Sequence, residues 1–267
     1  TGRFFGGITF STNFPTTAGV IQPTALGTPD WYVAKFNTNN DTLLWSTFLG
    51  SSSSDYGGHL VLLANGNIVV AGHALNAHSG VGFGGSIPPI AINATASTTY
   101  QAVVYEMNST GTARVRSVRF GGNTTTYVGG IEHNPTTGDY YVVGETFVSC
   151  TVAGSCGLGP AGGFQPVQTG LDTASGYATR LNSTLDTATA FTYMAGNSTD
   201  GLIDVKVDGS GNVYLAGPSF STTFPFTTST IGSGGGYDFL VGKFNASLST
   251  ALYNPIDFGG ASHDCIS

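Results

Sequence analysis

Short apolar runs, bounded by Gly, Asn, Ser, Thr and Pro, recur along the whole chain. Alternation is clear in Trp31-Tyr32-Val33-Ala34-Lys35-Phe36, and nothing has helical periodicity of useful length. The runs form a repeating set of four. First strands are predicted at 59–64, 130–133 and 202–207, and second strands ending in Gly at 3–7, 68–72, 140–144 and 213–217. Third strands fall at 31–36, 102–107, 177–181 and 239–244, and fourth strands at 43–48, 113–120, 190–194 and 252–258. Asn65-Gly66 between apolar runs is a strong hairpin signal. The Gly-ended strands step by 65, 72 and 73 residues, from Gly7 to Gly72, Gly144 and Gly217. That period is long for a blade, and the excess lies in the loop before each third strand, for example 74–98 and 145–174.

Self-similarity at a fixed period identifies a repeat architecture. The expectation is an all-β chain and a β-propeller of about four four-stranded antiparallel blades. Residues 1–267 form one domain in this reading, with copies at about 1–58, 59–129, 130–201 and 202–267. Phe258 to Asp264 matches Leu49 to Asp55, and Thr1-Gly2 matches Gly211-Asn212. One blade is therefore expected to be a composite of N- and C-terminal strands, short of one strand. That makes 15 strands where four full blades need 16. An empty strand position exposes N–H and C=O groups that proteins cover or use for pairing.

Gly-Asn-Val-Tyr-Leu-Ala-Gly at 211–217, Ser-Thr-x-Phe-Pro at 11–15 and 221–225, Asp-x-x-Val-x-Lys-Phe-Asn at 30–37 and 238–245, and Phe-Gly-Gly-x-x-x-Asp at 258–264 resemble the SBBP repeat. That family comprises β-propeller repeats of secreted and cell-surface microbial proteins. The match is close in the first and last copies. In the middle two, Ser-Thr-x-Phe-Pro is absent and Lys35 gives way to Glu106 and Arg180. The resemblance implies four-stranded blades, an extracellular location and frequent tandem arrays, and it implies no catalytic residues. The family's name refers to seven blades, whereas four copies fit here.

Charged residues are only 9% of the chain, against about 25% in an ordinary soluble protein. Aromatic and β-branched residues are plentiful, so the chain is not disordered. A net charge of -7 argues against nucleic acid as a partner. Arg114, Arg116 and Arg119 are the one cationic cluster, read as a solvated strand face. No apolar run is long enough to span a membrane. No signal peptide is visible, since the repeat places Thr1 in mid-strand, and any targeting segment is expected outside these residues.

Solubility then needs another source, and glycans are the candidate. Asn-x-Ser/Thr acceptors stand at Asn40, Asn93, Asn108, Asn123, Asn182, Asn197 and Asn245. Asn108, Asn182 and Asn245 share one repeat position, the turn after the third strand; Asn123 and Asn197 share another. The plainer reading is that Asn-Ser-Thr is good turn chemistry. Cys150 and Cys156 can close a local disulfide in an oxidising compartment, leaving Cys265 free or paired between chains.

Catalytic and metal signals are poor. Asp204 and Asp208-Gly-Ser-Gly-Asn212 have a calcium-loop flavour but lack the remaining ligands. Asp55, Asp200 and Asp264 are read as turn caps, and His59, His73, His78, His133 and His263 form no ligand pattern, although His73 and His78 lie near a loop. No Gly-x-Ser-x-Gly elbow is present. No enzyme, cofactor or metal is expected. The expected function is a non-enzymatic extracellular structural glycoprotein, a subunit of a head-to-tail homo-oligomer that builds a filament or surface layer by strand complementation. The alternative is a propeller module binding carbohydrate or a surface protein through its long loops, where Phe83, Phe147 and Phe164 are the aromatic candidates.

Overall fold

The computed structural model describes residues 2–75, 98–122, 124–155, 157–168, 173–232 and 236–264, and the backbone of 90–92. Among them there are seventeen strands in four sheets and no helix. The first sheet orders β1 (Gly2–Thr9), β2 (Asp30–Asn37) and β3 (Leu43–Leu49). The second orders β4 (Asp55–Leu62), β5 (Ile68–Leu75), β7 (Tyr100–Met107) and β8 (Arg114–Phe120), with β6 (Ile90–Ile92) beyond β8. The third runs β9 (Thr126–His133), β10 (Tyr140–Thr146), β11 (Ser175–Leu181) and β12 (Ala188–Tyr193). The fourth runs β13 (Asp204–Val207), β14 (Val213–Ser219), β16 (Asp238–Phe244) and β17 (Ile256–Gly259), with β15 (Ser229–Gly232) outermost.

Fifteen of these strands are antiparallel neighbours in the expected order. β6 and β15 were not expected: each pairs parallel with the last strand of its sheet, Ile90 opposite Val118 and Thr230 opposite Asp257. The three-stranded sheet is the first, as anticipated, but it is built of N-terminal strands alone among the described residues. β17 belongs to the fourth sheet, and among the described residues no C-terminal strand joins the first.

β4 and β9 begin earlier than the apolar pattern indicated, and glycine explains it. Gly57, at a φ of 126°, pairs with Gly72 and His59 pairs with Ala71, so Gly58 bulges out at a φ of 92°. A Cβ on Gly58 would lie 2.6 Å from the Gly7 nitrogen. Glycine there continues the strand through a close approach to the neighbouring sheet rather than ending it. β17 starts later than expected. Leu252 still bonds to the Lys243 carbonyl at 2.8 Å, but Pro255 then removes a ladder donor.

Each sheet has two faces. The front meets the next sheet in chain order and the back meets the previous one. Trp31, Val33, Trp45 and Leu49 on the front of the first sheet pack with Ile68, Val70, Ala74, Tyr105 and Met107 of the second. Val69, Ala71, Val104, Val118 and Phe120 on the front of the second pack with Val128, Tyr140, Val142 and Tyr177 of the third. Tyr141, Val143, Ala178 and Met194 on the front of the third pack with Val205, Val213, Leu215 and Phe244 of the fourth. Burying one such Val, Leu or Phe contributes about 1.5–3 kcal/mol. The sheets thus succeed one another, with β4 against β1 and β2, β9 against β4, β5 and β7, and β13 against β9 and β10.

Gly72 shows how tightly two sheets meet. The Trp31 ring lies on it, and a Cβ there would come within 2.4 Å of Trp31 Cζ2 and 2.5 Å of the Tyr56 carbonyl oxygen. Trp31 is fully buried and has no room to retreat. Gly72→Ala is expected to lower stability by about 3 kcal/mol, read as a shifted urea midpoint with an unchanged slope.

Candidate functional site

The first sheet leaves both an edge and a face open. β5, β10 and β14 hold the position of β1 in their own sheets, and each is paired on both sides. β1 pairs with β2 alone, and among the described residues its amides and carbonyls make no other backbone bond. Beside this edge the back face forms a groove of about 500 Å³. Its walls are Phe5, Tyr32, Ala34 and Phe36. Phe14, from Ser11-Thr12-Asn13-Phe14-Pro15, packs on Tyr32 at 4.5 Å and on Phe48 at 5.9 Å. Arg3 and Asp41 meet at 3.2 Å at the rim, and both are exposed, so the pair adds little stability. No sequence signal marks Phe5 or Phe36 until each is compared with its repeat counterparts.

A second cleft, of about 390 Å³, lies among the second, third and fourth sheets, lined by His73, Tyr127, Glu145, Leu202, Ile203 and Pro218 among others. An aromatic group adjoins it: His73 lies 5.8 Å from Tyr56, 5.5 Å from Tyr100 and 4.6 Å from Tyr127. Burial pushes the His73 imidazole down to about 4, helped by neighbouring His59, so the ring is neutral near pH 7 and its Nδ1 accepts the Val128 N–H at 3.2 Å. Burial also raises the Glu145 carboxyl. This gathering was missed because its members come from six strands and a loop that sequence order does not bring together.

The carboxylates read as turn caps do that work. Asp55 accepts the Ser51 N–H at 2.6 Å, Asp200 the Gly196 N–H at 2.7 Å, and Asp264 the Gly260 N–H at 2.7 Å, one geometry at one repeat position. Asp200 also accepts the Ser219 and Ser221 hydroxyls. Asp208 accepts the Ser210 and Asn212 N–H groups, the Asn212 amide, the Tyr214 hydroxyl and Lys243, and these bonds hold its carboxyl well below the usual range. That closes the hairpin and leaves little of Asp208 for calcium. Among the described residues no cluster of three or more His, Cys, Asp or Glu could hold a metal. His133 lies tilted 5.0 Å from Tyr140 and His263 edge-on 5.5 Å from Tyr237, as packing groups. His78 lies outside the described residues.

The sequon asparagines close loops. Asn108 Oδ1 accepts the Thr112 and Ala113 N–H groups, Asn182 those of Asp186 and Thr187, and Asn245 those of Ser249 and Thr250. Asn197 accepts the Thr222 and Thr223 N–H groups, and exposed Asn40 accepts that of Thr42. Asn93 and Asn123 lie outside the described residues, as do Cys156 and with it the expected pairing to Cys150, and Cys265. Of the loop aromatics, Phe147 is 41% exposed. Phe164 is packed between the third and fourth sheets against Phe226 and Phe244, and Phe83 lies outside the described residues.

The arginine cluster is not a solvated face. Arg116 pairs with the buried Glu106 at 2.8 Å and donates to the Ser183 carbonyl of the third sheet at 2.7 Å, and Arg119 donates to Gln101 at 2.8 Å. Among the described residues no helix is long and apolar enough to cross a membrane. No family model matches the chain, and no curated protein matches it.

Burial raises the Asp55 carboxyl to about 8, the Ser51 N–H opposes that, and Asp30 adds to it. The raised value means that the folded state holds this proton more tightly than the unfolded chain. Its contribution is full below the ordinary value of 3.8 and is lost as pH rises toward about 8. Across that window the stability of Asp55→Asn is expected to fall less with pH than that of the unsubstituted chain, measured by urea denaturation at a series of pH values.

Proposed function

We propose that the four sheets are successive blades of an SBBP-type propeller arrangement. In this reading the chain is a non-enzymatic structural glycoprotein of the cell surface or extracellular medium. It assembles head to tail into a filament or surface layer by strand complementation. The observation that carries the proposal is the free edge of β1. Every other sheet places a strand, β4, β9 or β13, beside the equivalent of β1. A strand donated by a neighbour would satisfy the open N–H and C=O groups by β-augmentation. Such a contact is heterologous and propagates rather than closing. The low charge and the placement of sequons at turns support a surface made soluble by glycans.

The aromatic cleft favours a second reading, a module binding carbohydrate or a protein. Tyrosine faces beside the Glu145 carboxyl would suit a sugar. On that reading the Tyr127→Ala variant loses binding to an oligosaccharide array that the unsubstituted chain retains.

The assembly reading expects species larger than a monomer by size-exclusion under native conditions, and extended particles by negative-stain microscopy. Alternate β1 amides are expected to exchange quickly in the isolated subunit and slowly in the assembly. Discrete monomers at high concentration, or β1 exchange that assembly leaves unchanged, would remove this reading. Glycosidase treatment is expected to lower the mass of natively produced protein; an unchanged mass removes the glycan part.

A further inference from the structure

Consecutive sheets meet through one repeated interface, and its two halves are left partly open on the first and fourth sheets, at Phe5 and at Phe258. On the back face, Phe5 holds the register position of Val70, Val142 and Leu215; those three are fully buried, and Phe5 is 50% exposed. On the front face, Phe258 sits opposite Phe239 as Leu49 sits opposite Trp31 and Phe120 opposite Ala102. Leu49 and Phe120 are fully buried, whereas Phe258 is 52% exposed. Apolar side chains at positions buried everywhere else call for a covering surface.

The open faces also keep the register of the interior ones. Within the chain, Trp31 on a front face covers Gly72 on a back face. Phe239, at the register position of Trp31, is already buried, and Gly7, at that of Gly72, already has the Tyr32 ring 3.2 Å from where a Cβ would stand, so the open part of each half lies at Phe258 and at Phe5.

A third feature repeats with them. At each interior interface a cation of the front sheet reaches a main-chain carbonyl in a turn of the following sheet. Lys35 donates to Ser109 O at 3.4 Å, Arg116 to Ser183 O at 2.7 Å and Arg180 to Ala246 O at 3.3 Å. Lys243 is the fourth sheet's counterpart of Lys35 and Arg180. It lies over the Tyr214 ring at 4.7 Å, with Asp208 at 3.2 Å. In the first sheet the corresponding turn residue is Thr38, directly after Asn37 as Ser109 follows Asn108.

We infer that the front face of the fourth sheet docks on the back face of the first sheet of a second copy of this chain. Phe258 covers Phe5, and Lys243 reaches the Thr38 carbonyl. The inference rests on the assembly reading above and names the surfaces through which assembly runs. A second copy is the fitting occupant because it brings both halves of an interface the chain already makes three times within itself. One half remains open at each end of such a pair, so the contact repeats.

Two variants test this, Phe5→Asp and Phe258→Asp, purified separately. Both side chains are half exposed in the isolated chain, so each variant is expected to unfold at the temperature of the unsubstituted protein. Each alone is expected to stay monomeric in size-exclusion with light scattering. Phe258→Asp keeps an intact back face and Phe5→Asp an intact front face, so their mixture is expected to give a dimer and nothing larger. Lys243→Met is expected to weaken association by roughly tenfold. Unchanged assembly of both single variants, or a mixture that yields no dimer, overturns face docking. If assembly persists in both variants and protects the β1 amides, strand complementation stands while face docking fails. If the unsubstituted protein stays monomeric at high concentration, both fail.

Discussion

The close meeting of one sheet's front with the next sheet's back sets the terms for everything else in this chain. It requires a large side chain on one side and almost nothing on the other, as with Trp31 over Gly72. It requires the bulge at Gly58, because a side chain there would strike the backbone of β1. It also requires buried turns to satisfy their own N–H groups, a task that falls to Asp55 and Asp200. These carboxylates are desolvated and their proton affinity rises, so the packing that holds the sheets together also makes stability depend on pH.

The strand order was legible because a period of two and a repeated Gly-ended strand are local signals. Residues 68–72 and 213–217 could be read as partners of their neighbours without knowing any contact. Starts and ends of strands were less legible. Gly57-Gly58 looks like a stop when only propensity is considered, and it is a continuation once the neighbouring backbone is present. The parallel strands β6 and β15 could not be foreseen. Each is short, and it pairs at the outer edge of its sheet with a strand well separated from it in sequence. The turn role of Asp55, Asp200 and Asp264 was legible from repeat position alone, since a carboxylate four residues after a turn N–H is local geometry.

The interface cation was the least legible part. Read along the sequence, Lys35, Glu106 and Arg180 look like a motif decaying. In space the motif persists. Glu106 faces Arg116 across the strand pair, and Arg116 takes over the reach to the next sheet that Lys35 and Arg180 make from their own strand. The charge was relocated by one strand, with a buried carboxylate added to hold it. Reading three arginines as a solvated face failed because strand parity gives the face and not what lies against it.

The loops closed by Asn108, Asn182 and Asn245 bear on what a sugar at these positions would meet. Each asparagine spends its carbonyl oxygen on two backbone amides, and each side-chain nitrogen donates across the same loop, to Thr112, Asp186 and Ser249. That nitrogen is the atom to which a sugar would be joined. In the fold it donates one N–H within its own exposed loop and keeps a second. Carbohydrate joined there would take the place of one of these N–H groups, so glycan attachment and loop closure draw on the same atom.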